Sequence, residues 1–246
     1  MLHVIIPLGG RAIRFQERGY TFPKPLIEIG TRSMIEVVLE NLAPPQPARF
    51  TFICRKEHLT QFYLGDMLRL LAPGCKIVSL EHDTAGALCS VLLTIDDLHS
   101  EEEVLVANGD QYLTAPLVPF YDKCRLPGTD GCILTFAATH PRWSFVRTDP
   151  GGRVTAVAEK RPISKQATVG LYYFRRASDL LAGAERMLIK GLTIAGEFFV
   201  APVFNELLLE GKYITTYHLP DGAMYSLGTP EDLEIFLKRS DSNSLH

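Results

Sequence analysis

Five cysteines stand in 246 residues, at 54, 75, 89, 124 and 132, an odd number with no C-x-x-C pair. That argues against a disulfide framework and against a cysteine zinc site, and suits reduced thiols. Seven histidines show no H-x-x-x-H spacing, so a histidine zinc site is not expected either. Basic excess is missing: 25 Lys and Arg face 28 Asp and Glu, for a formal charge of −3. The chain therefore carries no electrostatic footprint for nucleic acid. No apolar run approaches the roughly 18 residues of a membrane helix. The start, Met1-Leu2-His3-Val4-Ile5-Ile6-Pro7, lacks the basic flank and long apolar core of a signal peptide. Residues 205–239 and the polar tail 240–246 show no anchor, so a soluble, cytoplasmic protein with no membrane partner is expected. Internal repeats and low-complexity stretches are absent.

The residues present describe an ordinary globular chain. Apolar residues make up 46% and charged residues 22%, a balance that excludes a largely disordered chain. Leu2–Ile6 reads as a strand ended by Pro7-Leu8-Gly9-Gly10. Thr31 or Ser33 caps a helix carrying Met34, Val37, Val38 and Leu42 at helical spacing. Strands are expected at Phe50–Cys54, Cys75–Leu80 and Glu103–Ala107, and helices at Leu59–Leu71 and Ala85–Ile95. This alternation over the first 110 residues predicts a parallel sheet covered by helices. The second half reads differently, with strands at Gly131–Thr139, Phe145–Thr148, Val154–Ala158, Val169–Phe174 and Tyr213–Leu219. A turn is expected at Pro150-Gly151-Gly152 and a helix over Glu197–Leu209. Thr229-Pro230-Glu231-Asp232 is a helix start, with a capping hydroxyl, Pro at the first position and two carboxylates at the positive end.

Several constellations could carry chemistry. Glycines 9 and 10 follow a strand, where backbone N–H groups can approach phosphate oxygens, and arginines in the same loop can add a charge-assisted fork. The same residues also make a tight turn with a surface arginine. No G-K-[ST] follows, so this is no Walker loop, and no G-x-G-x-x-G is present. Lys24 lies between Pro23 and Pro25 in a stiff, extended segment, which suits either a phosphate-binding lysine or an exposed one. Asp110 ends a strand, as a metal ligand or a turn aspartate. Glu159-Lys160 is a binding pair or a solvated one. Trp143, the single tryptophan, lines a pocket or packs in the core.

Taken in order, these segments resemble the sugar-phosphate nucleotidyltransferase family, which includes glucose-1-phosphate thymidylyltransferases and cytidylyltransferases. The resemblance rests on Gly9-Gly10-x-x-x-Arg14-Phe15, Pro23-Lys24-Pro25-Leu26, Thr84-Ala85-Gly86-Ala87, Asn108-Gly109-Asp110, Glu159-Lys160, Thr168-Val169-Gly170-Leu171-Tyr172 and Gly228-Thr229-Pro230-Glu231-Asp232-Leu233. The wording around Tyr20-Thr21-Phe22-Pro23-Lys24-Pro25 is most similar to a capsule or surface-polysaccharide subgroup. The resemblance implies one Rossmann-like (GT-A-like) α/β domain over residues 1–239, with a central mixed, mostly parallel sheet flanked by helices. About 1–112 would form the nucleotide-binding half and about 113–239 the acceptor-binding half. It also implies transfer of a nucleotidyl group from a nucleoside triphosphate to a sugar 1-phosphate or related phosphate ester, with release of pyrophosphate, for surface glycan synthesis. Leu8, Gly9, Gly10, Arg14, Lys24, Thr84, Gly86 and Asp110 would bind nucleotide, with Arg14, Lys24 and Asp110 catalytic. Asn108, Glu159, Lys160 and Gly170 would bind the acceptor, Asp110 would hold Mg²⁺, and a homodimer is plausible. No added β-helix follows the Thr229 helix, so a second, acyltransferase activity is not expected.

Two departures from that pattern stand out. Ala12 replaces a glycine of the phosphate loop and Ile13 replaces its hydroxyl residue. Ser226 stands where the family often carries a second metal aspartate, and Asp221 is out of register to replace it. These departures motivate an alternative, a weakened nucleotide or sugar-nucleotide binding protein. A glycosyltransferase of similar fold is a third reading, although Asp110-Gln111-Tyr112 lacks that class's Asp-x-Asp pair.

Overall fold

A computed structural model describes residues 1–243. The chain runs β1 (Leu2–Leu8), α1 (Ile13–Glu17), β2 (Glu28–Ile29), β3 (Arg32–Ser33), α2 (Met34–Leu42), β4 (Ala48–Arg55), α3 (Lys56–Gln61), α4 (Leu64–Leu71), β5 (Lys76–Leu80), α5 (Ala87–Leu92) and β6 (Glu103–Ala107). The second half continues with β7 (Gln111–Leu113), α6 (Val118–Cys124), β8 (Gly131–Ala137), β9 (Ser144–Thr148), β10 (Val154–Glu159), β11 (Gln166–Phe174), α7 (Ala177–Lys190), α8 (Val203–Leu209), β12 (Ile214–His218), β13 (Met224–Ser226) and α9 (Pro230–Asn243).

Nine strands form one mixed sheet in the order β10-β9-β11-β6-β1-β4-β5, with β8 also pairing β11 and β12 pairing β8. The expected parallel block is β6-β1-β4-β5. From β11 onward the pairing is mainly antiparallel, with β12 parallel on β8. The apolar sequence of β1 follows from its central place. Leu2, Val4, Ile6 and Leu8 face a core with α2, α4 and α6, while Ile5 faces another with α5, α7 and α8. A smaller third cluster joins Phe15, Ile27, Met34, Leu227, Leu233 and Phe236. It fastens α9 to the segments that carry the glycine loop and Lys24.

Local signals explain most boundaries. Ser33 caps α2 in a capping box: its Oγ accepts from Glu36 N–H at 3.3 Å, and Glu36 Oε2 accepts from Ser33 N–H at 3.4 Å. Thr229 Oγ1 accepts from Asp232 N–H at 3.2 Å, the cap expected at the start of α9. Pro150-Gly151-Gly152 does connect β9 to β10.

Of the boundaries that differ from expectation, five are instructive. β1 continues through Pro7 to Leu8. Its ladder with β6 stops at Ile5 opposite Val106, so Pro7 has only β4 beside it and its missing N–H is tolerated. The helix expected over 59–71 is two helices, broken where Tyr63 turns left-handed at φ 52°. In one straight helix Leu59 and Leu68 would point in opposite directions; the break turns both to the same core. The helix expected over 85–95 shrinks to α5 and a 3₁₀ turn at Ile95–Asp97. The one expected over 197–209 starts only at Val203, because Pro202 ends up as its cap and the 198 backbone is used elsewhere. The tail expected from 240 is helical to Asn243, and residues 244–246 lie outside the described residues.

His3 shows what burial in the central strand does to a polar side chain. It is fully buried, with Nε2 2.8 Å from Thr51 Oγ1. Burial first, then the charge of Arg49, lowers its pKa from 6.5 to about 4, outweighing Glu102. The folded state holds a neutral imidazole while the unfolded chain protonates near 6.5. The contribution is therefore complete above pH 6.5 and is lost as pH falls toward 4, on the order of 3 kcal/mol. Urea titrations of wild type and His3→Gln across this window should show a shallower loss of stability in the variant. Equal slopes would exclude His3 as the source.

Candidate active site

The site grows from the carboxyl ends of two neighbouring parallel strands. β1 ends in Leu8-Gly9-Gly10 and β6 runs on into Asn108-Gly109-Asp110, so both loops open at the same edge of the sheet. A Cβ on Gly109 would stand 2.5 Å from Leu8 Cδ2, and one on Gly9 2.5 Å from Leu80 Cδ1. These glycines let the loops pack against the strands beneath them, while the Gly10 Cβ position meets no atom within 4 Å. Ala12 caps α1 at φ 51°, ψ 39°. It holds a left-handed backbone without being glycine, which costs roughly 1–2 kcal/mol.

Two cavities meet at this edge. The larger, about 730 Å³, is lined by Leu8, Gly9, Gly10, Lys24, Thr84 and Gly86 among others. The smaller, about 360 Å³, is lined by Trp143, Ser144, Glu159, Tyr172, Ser226 and Asp232 among others. Arg14, Asn108, Asp110 and Gly228 line both. Each cavity also draws on both halves of the chain: Glu197 and Phe199 reach the larger one, and Arg14 reaches the smaller.

Lys24 and Asp110 stand at the junction. Lys24 opens a 3₁₀ turn (Lys24–Leu26) whose Pro23 and Pro25 are buried, so the backbone beneath it is stiff. Its Nζ lies 2.5 Å from Asp110 Oδ2 and 3.4 Å from the Gly228 carbonyl. Asp110 is anchored in turn, because its carbonyl accepts from Leu227 N–H at 2.8 Å and β7 pairs with β13 just beyond. Among the described residues no three carboxylate, imidazole or thiol groups gather as a metal site. A Cβ placed on Gly228 would meet Ser226 Oγ at 3.2 Å and Asp110 Oδ2 at 3.3 Å, so two hard oxygens converge on the glycine. Of these, the Asp110 carboxylate fits a Mg²⁺ ion that takes most of its ligands from phosphates and water, while Ser226 Oγ is already bonded to Asp232 Oδ2 and Gly228 N–H.

The smaller cavity has a tied wall. Ser226 Oγ donates to Asp232 Oδ2 at 2.9 Å, and Arg142 Nη1 donates to both Asp232 oxygens at 3.0 and 2.9 Å. The Arg142 guanidinium lies 4.4 Å from the Trp143 ring centroid, and Trp143 meets Phe136 edge-on. Asp232 thus ties α9 to β13 through the Ser226 hydroxyl and to the loop before β9 through Arg142. Opposite, Ser144 Oγ donates to Glu159. Burial, helped by the Glu197 carboxylate, pushes the Glu159 carboxyl up against the opposing pull of Ser144 and Lys160.

The larger cavity is bordered by an ion-pair bridge and a turn. Asp83 pairs with both Arg11 and Arg55, and Arg55 Nη1 also donates to the Gly9 carbonyl at 3.2 Å. Thr84 Oγ1 donates to the Gly86 carbonyl at 3.0 Å and lies 2.7 Å from Ser90 Oγ. Phe198 N–H donates to the Ala85 carbonyl at 2.7 Å, and Leu88 N–H to the Phe198 carbonyl at 3.1 Å. Gly86 sits at φ 109°, where a Cβ would stand 2.5 Å from Phe198 O. This crossing is what occupies the backbone at 198 and keeps it out of α8.

The match to known proteins follows this geometry. Residues 3–187 match the family model described as nucleotidyl transferase. The chain belongs to the nucleotidyl transferase family. Among solved structures it is similar to a nucleoside-diphosphate-sugar pyrophosphorylase from Vibrio cholerae RC9, with 24% identity, a TM-score of 0.80 and coverage of 97% of this chain and all of that one. It is also similar to a Bacillus anthracis protein assigned as a glucose-1-phosphate thymidylyltransferase, in complex with a sucrose, with 21% identity, a TM-score of 0.76 and coverage of 98% and 95%. At these identities the likeness speaks for the fold.

Within this nucleotidyltransferase the expected residues divide clearly. Leu8, Gly9, Gly10, Arg14, Lys24, Thr84, Gly86, Asn108 and Asp110 border the larger cavity, and Glu159 borders the smaller. Two others do not line either. Gly170, at φ 100°, accepts from Asn108 N–H at 2.8 Å and leaves room for the Asn108 side chain, so it supports the wall from behind. Lys160 is exposed, with Nζ 4.8 Å from the ring centroid of Phe199, which borders both cavities. Asp221 is exposed in a turn and lines neither cavity. Sequence reasoning missed Arg142, Ser144 and Gln111 as cavity residues and took Asp232 as a helix-end charge within the closing motif, with no role in a cavity wall. The basic-aromatic run Arg142-Trp143-Ser144 was the available signal.

Two substitutions test these supports. Asp232→Ala should free Arg142 and raise acceptor KM several-fold without changing nucleotide affinity, measured by steady-state kinetics and calorimetry. Gly86→Ala should force the turn away from Phe198 and weaken nucleotide binding at least tenfold in calorimetry. Unchanged affinity in a folded Gly86→Ala protein would contradict this role.

Proposed function

We propose that this nucleotidyltransferase moves a nucleoside monophosphate from a nucleoside triphosphate to a sugar 1-phosphate or related phosphate ester, releasing pyrophosphate. The observation that supports it best is Asp110, bonded to Lys24 where the two cavities join. One cavity suits the triphosphate and the other the phosphorylated acceptor. An acceptor phosphate oxygen attacks the α-phosphorus, a new P–O bond forms, and the bond from the α-phosphorus to the bridging oxygen breaks as pyrophosphate leaves. Such a step depends on positioning and charge neutralisation more than on covalent catalysis by the protein.

In this reading residues 1–112 are chiefly the nucleotide half and 113–239 chiefly the acceptor half of one domain. Gly9 and Gly10 present backbone to the triphosphate, Thr84 and Gly86 shape the base turn, and Arg14 and Lys24 meet phosphate oxygens. Asp110 would hold Mg²⁺, which supplies charge neutralisation on the phosphates when bound. Glu159 accepts from acceptor hydroxyls, and Asn108 borders the acceptor. A cytoplasmic homodimer serving surface glycan synthesis completes the proposal. Among the described residues no helix is long and apolar enough to cross a membrane.

Left-handed Ala12, exposed Ile13 and the hydroxyl at Ser226 favour one second reading, a protein that binds nucleotide without turning it over. Pure protein incubated with each nucleoside triphosphate, Mg²⁺ and a panel of sugar 1-phosphates separates the two. Pyrophosphate release supports transfer, whereas calorimetric binding without release supports the second reading. Lys24→Ala should lower turnover by roughly three orders of magnitude or more, at about 1.4 kcal/mol per tenfold, with little change in Tm. Asp110→Asn should behave similarly. Arg11→Ala removes a largely exposed ion pair at the rim of the larger cavity and should change turnover a few-fold at most. An inactive Arg11→Ala beside an active Lys24→Ala would show that the phosphate loop is misassigned.

A further inference from the structure

Gln111 is the residue after Asp110 and the first of β7, paired across to Ser226. It is 1% exposed, yet it lines the smaller cavity. Its Oε1 accepts from the Asp110 N–H at 3.2 Å, while its Nε2 has no hydrogen-bond partner. The orientation follows from chemistry: reversing the amide would set its NH₂ against the Asp110 N–H, donor against donor. The unpartnered end is therefore the donating one. A buried donor left unmade costs about 1–3 kcal/mol, so its persistence calls for a partner.

The other buried polar groups of this cavity already have partners in the protein. Ser144 bonds Glu159, Thr168 and Tyr172 lie 3.0 Å apart through their hydroxyl oxygens, and Asp232 is held by Arg142 and Ser226. Among the described residues, Gln111 Nε2 is the buried side-chain nitrogen or oxygen in either cavity wall that lacks one.

We infer that Gln111 is a specificity residue for the acceptor, its Nε2 donating to a hydroxyl or ring oxygen on the acceptor's carbon skeleton near the reacting phosphate. The inference rests on the transfer reaction proposed above and adds the class of acceptor. A polyhydroxylated phosphate satisfies the amide, whereas a phosphate ester with an apolar skeleton leaves it bare and is rejected. Gln111 and Glu159 then form a donor and acceptor set in one cavity, the minimum needed to fix the orientation of a sugar ring.

The test uses the sugar 1-phosphate that wild type turns over best, drawn from the α-D-glucose, α-D-galactose and α-D-mannose 1-phosphates, together with its monodeoxy analogues. Gln111→Met keeps length and volume but removes the donor. It should raise acceptor KM about tenfold or more, with kcat at saturating acceptor within about threefold and nucleotide KM unchanged. One monodeoxy analogue should be a poor substrate for wild type and no worse for Gln111→Met. If Gln111→Met does not fold, Gln111→Asn, which withdraws the amide by one methylene, should raise acceptor KM in the same way. An acceptor KM within twofold of wild type overturns the inference while leaving the transfer reaction standing. A fall in kcat with unchanged acceptor KM also overturns it, since that is the signature of propping Asp110. If wild type turns over none of these sugar 1-phosphates but does turn over a phosphate ester with an apolar skeleton, the inference falls and the transfer reaction stands; if it turns over neither, both fall together.

Discussion

Everything at the site depends on β1 and β6 lying side by side and parallel. Their ladder runs from Leu2 opposite Glu103 to Ile5 opposite Val106, and from there both chains leave the sheet at the same edge. Parallel pairing requires the intervening chain to cross over and return, so roughly a hundred residues separate Gly9 from Asp110 in sequence while the fold brings them together. Reversing or slipping either strand would move the glycine loop and the aspartate to different places. The apolar character of β1 and β6 secures that register, because both faces of each strand are buried.

Around that edge the protein balances its own charges. Lys24 neutralises Asp110, Arg142 neutralises Asp232, and Arg11 with Arg55 neutralises Asp83. A triphosphate brings several negative charges, and binding it means exchanging some of these internal pairs for pairs with phosphate. The half-buried Lys24–Asp110 contact is the one best placed for such an exchange, since Asp110 borders both cavities, whereas the more exposed Arg11–Asp83 pair borders only the larger one. The Arg142–Asp232 pair is different. It ties the loop before β9 to α9, with Ser226 donating to the same carboxylate, so its work is to hold a wall in place.

Much of this was legible without coordinates. The cap at Thr31 or Ser33, which the structure gives to Ser33, the Thr229-Pro230 helix start, the strand Glu103–Ala107 and the hairpin after Thr148 are short-range signals, and they stand where the residues put them. The glycine loop, Lys24, Gly86, Asp110 and Glu159 are picked out because their order resembles a nucleotidyltransferase family, since residue by residue each also reads as an ordinary turn or surface group. Boundaries failed where a distant partner overruled local preference. The segment from 197 to 202 reads as helix, but its backbone hydrogen-bonds the 85–88 turn, and Gly86 exists in part to admit that approach.

Local residue chemistry determined the elements, their caps and the identities of the groups able to meet phosphate, because propensity, capping and periodicity act over a few residues. Only the tertiary structure decided which groups are paired and which are left waiting. Asp232 looks like a helix-end charge until Arg142, 90 residues away, is found on it. Gly170 looks like a binding residue until Asn108 is found filling the space above it. Gln111 looks like any strand residue until its amide nitrogen is seen buried without a partner. Hydrogen-bond satisfaction is a property of the whole packed neighbourhood, which is set by strand order and cannot be read from neighbours in the chain.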